Sequence, residues 1–208
     1  MMKRILIFSI FTAIALPVHS QNFKYGISIG SNYSTLVVED FGDTESSSKL
    51  GYQFSLVAAY KIDDELELKM EPGFVNRGTV ISSFGQAEQK VDLNYFALPL
   101  LANYSPIKKF SLIIGLEYAY KVSSKFEKKD SSFIKYLVDR KYDVGLIAGV
   151  SVRPYNKFEI GLRFNRGLLS TSRSLIESRD IDGNILKSKF INQGFSVGLT
   201  YMIKEKVK

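Results

Sequence analysis

The chain of 208 residues has no cysteine and only one histidine, His19. Without thiols it can form neither a disulfide framework nor a thiolate metal site. Imidazole is the most common general base and metal ligand, and His19 lies in a segment that we expect to be removed. These absences exclude thiolate metal sites and most hydrolase mechanisms.

Long apolar runs are also missing beyond residue 20. The longest runs cover only residues 56–60 and 98–102, whereas a transmembrane helix needs about 20 apolar residues. A closed β-barrel is the other structure that satisfies every backbone group in lipid. If this chain sits in a membrane, it therefore does so as a barrel.

The first twenty residues have the pattern of a secretory signal peptide. A positive n-region, an apolar h-region and a small-residue cleavage site follow one another at Lys3-Arg4, residues 5–16 and Val18-His19-Ser20. The alternative is an uncleaved N-terminal anchor, which the cleavage site disfavours. Cleavage after residue 20 leaves residues 21–208 as one domain and lowers the net charge from +7 to +5, because Lys3 and Arg4 are lost.

Residues 140–167 show the dominant pattern of the mature chain, an alternation of apolar and small or polar side chains. One face of the first half carries Tyr142, Val144, Leu146, Ala148, Val150 and Val152. After a Pro-Asn turn, the alternation resumes with Phe158, Ile160, Leu162 and Phe164. This pattern predicts an antiparallel hairpin. Each strand has about ten residues, close to the ~9–11 that cross a bilayer.

Eight segments share this alternation and predict an all-β fold, an eight-stranded antiparallel up-and-down transmembrane β-barrel. They cover residues 22–33, 49–62, 65–77, 91–104, 110–121, 142–152, 158–165 and 194–203. Long polar connections at 34–49, 78–90, 122–139 and 168–190 alternate with tight ones at 63–64, 105–109 and 153–157. An even strand count with long loops on one rim and short turns on the other is typical of outer-membrane barrels.

Two strands carry more specific expectations. Pro72 cannot donate a ladder hydrogen bond, so we expect an irregularity there. Strand 91–104 is apolar on both faces, and we assign Phe96, Leu98, Leu100 and Tyr104 to the outside and place Asp92 and Asn94 above the membrane. Tyrosines near strand ends predict an interfacial aromatic girdle: Tyr25, Tyr52, Tyr60, Tyr104, Tyr118, Tyr120, Tyr142 and Tyr201.

The opposite face of the strands combines charges with glycines, which predicts a narrow, closed lumen in which opposite charges pair. The residues of this predicted network are Glu67, Lys69, Glu71, Glu117, Asp143, Glu159 and Arg163. The alternative is a soluble periplasmic or secreted lipocalin-like binding barrel, in which the apolar face points inward.

No catalytic, cofactor-binding or metal site is predicted, and we expect that the protein is not an enzyme. Residues 180–184 (DIDGN) lack the other oxygen ligands and the distal Glu of a calcium loop, and they are more simply a tight turn that caps a projecting hairpin. Glu67 and Glu71 have Lys69 between them, as in a structural ion pair. A membrane-embedded enzyme, such as a lipid acyl-transferring barrel, is a further alternative.

The two long connections of the second half are basic. Their cationic residues include Lys125, Lys128, Lys129, Lys135, Arg173 and Arg179. Such loops can hold lipopolysaccharide phosphates, or they are solvated loops with a charge excess. Outer-membrane lipids are the expected partners, whereas nucleic acid is excluded outside the cell despite a pI near 9.4. We expect a monomer.

Four stretches together resemble the PorT-like family of small outer-membrane β-barrel proteins of Gram-negative bacteria. They are LELKMEPGFVNRG (66–78), NYFALPLLANY (94–104), YDVGLIAGVSV (142–152) and EIGLRFNRGLLS (159–170). The resemblance implies an outer-membrane location and a non-enzymatic role in envelope integrity, interaction or export assistance. The namesake of the family takes part in a protein-secretion system, which makes a secretion-system protein a candidate partner.

Overall fold

The computed structural model describes residues 22–39, 45–82, 89–126, 137–173, 176–179 and 185–204. Ten antiparallel β-strands form in these residues: β1 (Phe23–Glu39), β2 (Glu45–Lys61), β3 (Leu66–Met70), β4 (Gly73–Ser82), β5 (Gln89–Ile107), β6 (Phe110–Phe126), β7 (Tyr142–Tyr155), β8 (Phe158–Ser170), β9 (Ile176–Arg179) and β10 (Ile185–Lys204). No helix in the described part of the chain has the length and hydropathy to span a membrane. The predicted signal peptide and the predicted turn at 180–184 lie outside the described residues.

The strands close into a ring because β1 pairs with both β2 and β10. Strands β3 and β4 together occupy one position, between β2 and β5, and β9 pairs only with β10. The predicted eight-stranded antiparallel barrel is therefore confirmed. The strands are staggered around the ring. A path that starts at Tyr142 of β7 and steps from each residue to its partner on the next strand comes back to β7 about ten residues further on, at Val152. Such a stagger is expected for strands that are tilted relative to the barrel axis.

Apolar side chains cover the outside of the ring, and polar side chains line the inside. Leu116 and Leu146 are 52% and 48% exposed, whereas Glu159 on the neighbouring inner face is 2% exposed. The soluble lipocalin-like alternative is wrong, since it requires the apolar face to point inward. In β5, Phe96, Leu98, Leu100 and Tyr104 point outward, as predicted, and the alternate residues are buried.

Aromatic side chains ring the outer surface near both ends of the barrel. Tyr25, Tyr60 and Tyr104 lie toward the short turns, and Tyr52, Tyr118, Tyr120 and Tyr142 lie toward the long connections; all seven are exposed. The eighth predicted tyrosine, Tyr201, is half-buried against Phe158, with ring centroids 5.1 Å apart. The register joins one row of rings directly: Tyr142, Tyr120, Phe96, Phe74 and Phe54.

The predicted single strand 65–77 is two strands, β3 and β4, separated by Glu71 and Pro72. Pro72 has no N–H, so the ladder is interrupted where it stands, as predicted from its chemistry. The wall still remains closed at this break. The amide of Glu71 donates to the carbonyl of Pro99 at 3.0 Å, and Leu56 donates to the carbonyl of Pro72 at 2.9 Å.

The strands also extend beyond the predicted bounds at the end with the long connections. Strand β1 continues to Glu39, and β10 begins at Ile185 instead of at residue 194. The first residues of β10 pair with β9 and form the projecting hairpin that the turn at 180–184 predicts within this long connection. These extensions lie above the aromatic row, where the outer face of a strand no longer contacts lipid. The alternation of apolar and polar residues that predicts a membrane strand is therefore absent there.

The short turns have local causes in the sequence. The carboxylate of Asp63 accepts hydrogen bonds from the amides of Glu65 and Leu66 at 2.8 and 2.7 Å, an arrangement in which an aspartate side chain substitutes for a backbone turn. The other two turns are centred on Lys108-Lys109 and Asn156-Lys157. All three lie on the same rim, opposite the long connections.

Candidate functional site

The lumen of the barrel is the candidate site, because strand alternation directs the polar side chains of β1 to β8 and β10 into it. Its long charged side chains need room, which small residues on facing strands supply. A Cβ atom at Gly149 would lie 2.4 Å from the carbonyl oxygen of Leu162 and 3.1 Å from Cγ of Arg163. One at Gly167 would lie 3.0 Å from the Asp143 carboxylate. Alanine would not fit at either position without displacing its neighbour.

The first cluster of charges lies nearest the short turns and joins three walls of the barrel. The ammonium of Lys69 donates to both carboxylate oxygens of Glu159 at 2.7 Å. Arg153 donates to Glu159 at 2.8 Å and to Glu67 at 2.7 Å. Lys24 also contacts Glu67, at 3.0 Å. Lys69 also lies 3.5 Å from Glu67. Glu67 thus contacts three cations and Glu159 contacts two, so the five side chains form one connected cluster.

Two further ion pairs lie deeper in the lumen. Arg163 makes a bidentate contact with Glu71 at 2.6 and 2.8 Å, the geometry in which an arginine–carboxylate pair is strongest. Arg77 donates to Glu117 at 2.6 Å, and Asn165 donates to the same carboxylate oxygen at 3.1 Å. The pair of Arg77 and Glu117 spans β5, from β4 to β6, and the pair of Glu71 and Arg163 crosses the lumen from the break between β3 and β4 to β8 on the opposite wall.

Asp143 has neutral partners in place of a direct ion pair. The amide of Asn192 donates to one oxygen of Asp143 at 2.8 Å and also lies 3.2 Å from the hydroxyl of Tyr95. The other oxygen of Asp143 is buried and has no hydrogen-bond partner. The guanidinium of Arg77 lies over the Tyr95 ring at 5.8 Å, which brings a cation close to this group.

The structure places all seven predicted lumen residues inside the barrel and adds three cations that the prediction omitted. The prediction contained five acids but only two bases, and Lys24, Arg77 and Arg153 restore the balance. Strand alternation already placed Lys24 and Arg77 on the polar face. Arg153 was assigned to the turn, yet it continues the inner face of β7. Counting charge in the predicted lumen would have shown that cations were missing.

Above the charges, toward the long connections, the interior of the barrel becomes apolar. We call this region the cap; it is built from Leu36, Ile81, Val91, Leu93, Phe190, Leu137 and Val138, all at most 5% exposed. Leu137 and Val138 precede β7 and lie inside the mouth. The hydroxyl of Thr171 donates to the carbonyl of Leu137 at 2.7 Å, and Lys121 donates to that of Val138. The mouth is thus closed by the chain itself.

A cavity of about 60 Å³ remains beside the ion pairs. Its lining includes Gln53, Ser55, Glu71, Arg77, Arg163 and Asn165. This volume is enough for a few water molecules. Both side-chain polar atoms of Asn103 and the hydroxyl of Ser151 are also buried without protein partners, as expected for groups that bind internal water.

The structure describes the side chains of two of the six predicted basic loop residues. Lys125 and Arg173 are exposed, and the amide of Arg173 donates to Asp139 at 2.6 Å. Lys128, Lys129 and Lys135 lie outside the described residues. Arg179 lies in β9, where only the backbone is described. Binding of lipopolysaccharide by these loops remains a prediction.

The chemistry of the lumen is that of charge neutralisation. Within the described ranges, no three His, Cys, Asp or Glu side chains are grouped so that they could hold a metal ion. Glu67 and Glu71, the paired carboxylates noted in the sequence, each face a cation at salt-bridge distance. A carboxylate held in this way is an unfavourable general base, since proton uptake would leave its partner cation unpaired.

Comparison with known proteins identifies a family whose model matches most of the chain. A family model described as "Outer membrane protein beta-barrel domain" matches residues 19–173. Neisserial surface protein A (NspA) has a similar structure, with a TM-score of 0.51 and 10% identity over 85% of this chain and 96% of that protein. This likeness supports the fold alone.

Two other solved barrels align over most of their length. Ail of Yersinia pestis, in complex with the heparin analogue sucrose octasulfate, has 15% identity and a TM-score of 0.43 over 86% of this chain and 99% of that one. OprG of Pseudomonas aeruginosa has 14% identity and a TM-score of 0.43 over 88% and 98%. No match was found among curated proteins.

Proposed function

This chain belongs to the outer membrane protein beta-barrel domain family, and from that premise we propose that it is a sealed, non-enzymatic barrel that acts through its rims. Its location is the bacterial outer membrane, where the apolar outer surface faces lipid. The specific role that we propose is interaction at the cell envelope, including assistance to protein export.

The observation that carries the proposal is the double closure of the lumen. Ion pairs brace its lower part and the cap fills its mouth, and the cavity beside the ion pairs has a volume of about 60 Å³. An eight-stranded ring has an interior about wide enough for its own side chains, whereas aqueous channels need about 16–18 strands. A barrel without a passage is best suited to present its rims to other molecules.

An enzymatic role is disfavoured by the same residues. The carboxylates that could act as general acids or bases are engaged in ion pairs or amide contacts. The mature sequence contributes no histidine and no cysteine to replace them. Activity on lipids by the purified protein would nevertheless contradict this part of the proposal.

The resemblance to PorT-like proteins supports export assistance, and the long connections support contact with the cell exterior. In outer-membrane barrels the long loops face outward and the short turns face the periplasm. We therefore expect Lys125 and Arg173 at the outer surface, where lipopolysaccharide phosphates are available. Crosslinking in intact outer membranes, followed by purification, should recover the partner from wild type but less of it from a Lys125→Gln/Arg173→Gln variant.

Conductance in planar bilayers is the decisive test of the sealed lumen. We expect no stable channel events from the purified wild-type protein. The same sample should show heat-modifiable migration on a gel, which demonstrates that the silent protein is a folded barrel. Stable, large conductance from heat-modifiable protein would refute the sealed-barrel proposal and favour transport.

A further inference from the structure

We propose that the turns of the β5–β6 and β7–β8 hairpins form a binding site for anionic phospholipid headgroups. The two hairpins are neighbours on the rim with the short turns, because β6 pairs with β7. The amide of Arg153 donates to the carbonyl of Lys109 at 2.9 Å and holds the turns side by side. We call this surface the basic rim; it consists of Ile107, Lys108, Lys109, Tyr155 and Lys157.

The basic rim exposes apolar side chains where a polar turn would be expected. Tyr155 is 73% exposed, the highest value of any large apolar side chain described, and Ile107 is 66% exposed. Phe110 and Phe158 stand at the adjacent strand ends and continue into the lipid-facing wall. The apolar tips are therefore continuous with the aromatic girdle, at the depth where a tyrosine keeps its ring in lipid and its hydroxyl among headgroups.

The charge of the basic rim is of one sign. Lys108, Lys109 and Lys157 are exposed, and no acidic residue occurs at 104–112 or 152–158. The remaining turn of the same rim is the opposite case. It carries Asp63, Asp64 and Glu65, and its one cation, Lys61, pairs with Asp64 at 2.6 Å.

Phospholipid is the occupant that fits both the charge and the position. A lysine at this depth reaches headgroup phosphates with its ammonium while its alkyl chain stays in the apolar boundary. Basic residues beside a membrane attract anionic lipid, and the attraction weakens within a Debye length. A periplasmic protein would account for the lysines but would require Ile107 and Tyr155 to leave the lipid boundary. The rim thus selects anionic lipid on one side of the barrel and not on the other.

The absence of tryptophan from the chain allows a site-specific test. Tyr155→Trp places a single fluorophore on the basic rim, and Ile62→Trp places one beside the acidic turn as the matched control. Each variant is reconstituted into phosphatidylcholine vesicles that contain a fraction of brominated phosphatidylglycerol or, separately, brominated phosphatidylcholine. Because reconstitution is symmetric in lipid, the result does not depend on which rim faces the periplasm.

Brominated phosphatidylglycerol should quench the fluorophore at 155 more strongly than brominated phosphatidylcholine does. We expect a relative association constant on the order of fivefold or more at low salt, falling as salt is added. At position 62 the preference should be absent or reversed. The triple change Lys108→Gln, Lys109→Gln and Lys157→Gln, made in the Tyr155→Trp background, should abolish the preference while heat-modifiable migration is retained.

Equal quenching by the two lipids at position 155 would overturn the proposal and leave the lysines for a periplasmic protein. A preference of the same size at position 62, or one that survives the triple change, would also overturn it, since lipid selection would then not depend on the basic rim. Neither result bears on whether the lumen conducts.

Discussion

The interior of this barrel has opposite chemistry on the two sides of its outer aromatic row. Below the row, where the wall faces lipid, the interior holds five carboxylates and four cations: Glu67, Glu71, Glu117, Asp143, Glu159, Lys24, Lys69, Arg153 and Arg163. A smaller number of apolar side chains, such as Leu101, Ile113 and Ile147, are buried there as well. Arg77 lies above the row, beside Leu93, and reaches Glu117 from there. Above the row, the interior is the apolar cap. On β6 the outer surface changes in the reverse sense, since the exposed residues Ser123 and Lys125 follow the apolar outer face that Leu116 and Tyr120 belong to.

This reversal follows from the solvent on the outside of the wall. Water drives apolar groups into the cap, as it does in any soluble protein. Lipid gives no such driving force. The part of the barrel below the aromatic row, which we call the membrane section, therefore needs interactions other than the hydrophobic effect, and its closed ring can hold polar groups inside. The chemistry of the inner and outer faces of strands such as β5 and β10 therefore changes along their length, at the aromatic row.

The largest loss of stability should come from removing Glu159 from the charged cluster of the membrane section. This carboxylate accepts hydrogen bonds from Lys69 and Arg153. Glu159→Ala removes one of the two carboxylates that Lys69 and Arg153 contact, and we expect it to lower the free energy of unfolding by about 3–5 kcal/mol. Urea unfolding in detergent, followed by heat-modifiable migration, measures the loss. A loss below about 1 kcal/mol would mean that the cluster is solvated enough to tolerate it.

The next effect tests the apolar cap with a matched pair of leucines on β5. Leu93 is fully buried, whereas Leu100 is 52% exposed on the lipid-facing wall. Leu93→Ala should leave a cavity and cost about 2–3 kcal/mol. Leu100→Ala should cost less than about 1 kcal/mol, because lipid or detergent can fill the space. Similar losses for the two variants in the same unfolding assay would contradict the assignment of the cap as a hydrophobic core.

A smaller change in stability is expected when one buried ion pair is replaced by apolar side chains like those of the cap. The double change Glu71→Leu and Arg163→Met replaces a bidentate pair by apolar side chains of similar length. Such replacements are often neutral or stabilising, so we expect a change within about 1 kcal/mol, whereas Arg163→Met alone should cost about 3 kcal/mol. If the double variant is as unstable as the single one, Glu71 and Arg163 stabilise the membrane section by more than neutralising each other's charge.

The smallest effect is expected at the exposed pair of Lys61 and Asp64, which has ideal distance but full access to water. Asp64→Ala should change the free energy of unfolding by less than about 0.5 kcal/mol, since exposed ion pairs contribute little. The contrast with Glu159→Ala, measured under the same conditions, separates burial from the mere presence of a salt bridge. A loss comparable to that of Glu159→Ala would show that distance alone determines the effect.

The membrane section was largely predictable because its wall has lipid on one side and a polar lumen on the other. That asymmetry imposes period two on every strand, so the strand positions and the inward direction of Glu71 and Glu159 follow from the sequence. Arg153 was missed for a physical reason. The end of β7 is set by the hydrogen bond from Arg153 to Lys109 on the neighbouring hairpin, which no local pattern encodes.

The cap was not predicted because its residues are brought together by tertiary contacts alone. Val91 and Leu93 lie in a strand with apolar residues on both faces. The alternation of residues therefore could not distinguish the part of this strand in the cap from the part in the membrane section. Leu137 lies in a connection that reads as a polar loop. Its position depends on Thr171, about thirty residues away in the chain, and so on the barrel having already formed beneath it.

The separation of the ion partners along the chain determines when the barrel can become stable. Lys69 and Glu159 are 90 residues apart, and Glu71 and Arg163 are 92 residues apart. Lys69 and Glu71 cannot meet these partners until β8 has arrived, whereas Glu67 contacts Lys24 of β1, which precedes it in the chain. Contacts of this range are slow to form. The nascent protein therefore carries Lys69 and Glu71 without these partners until the last strands assemble, and their pairing then joins opposite sides of the closing ring.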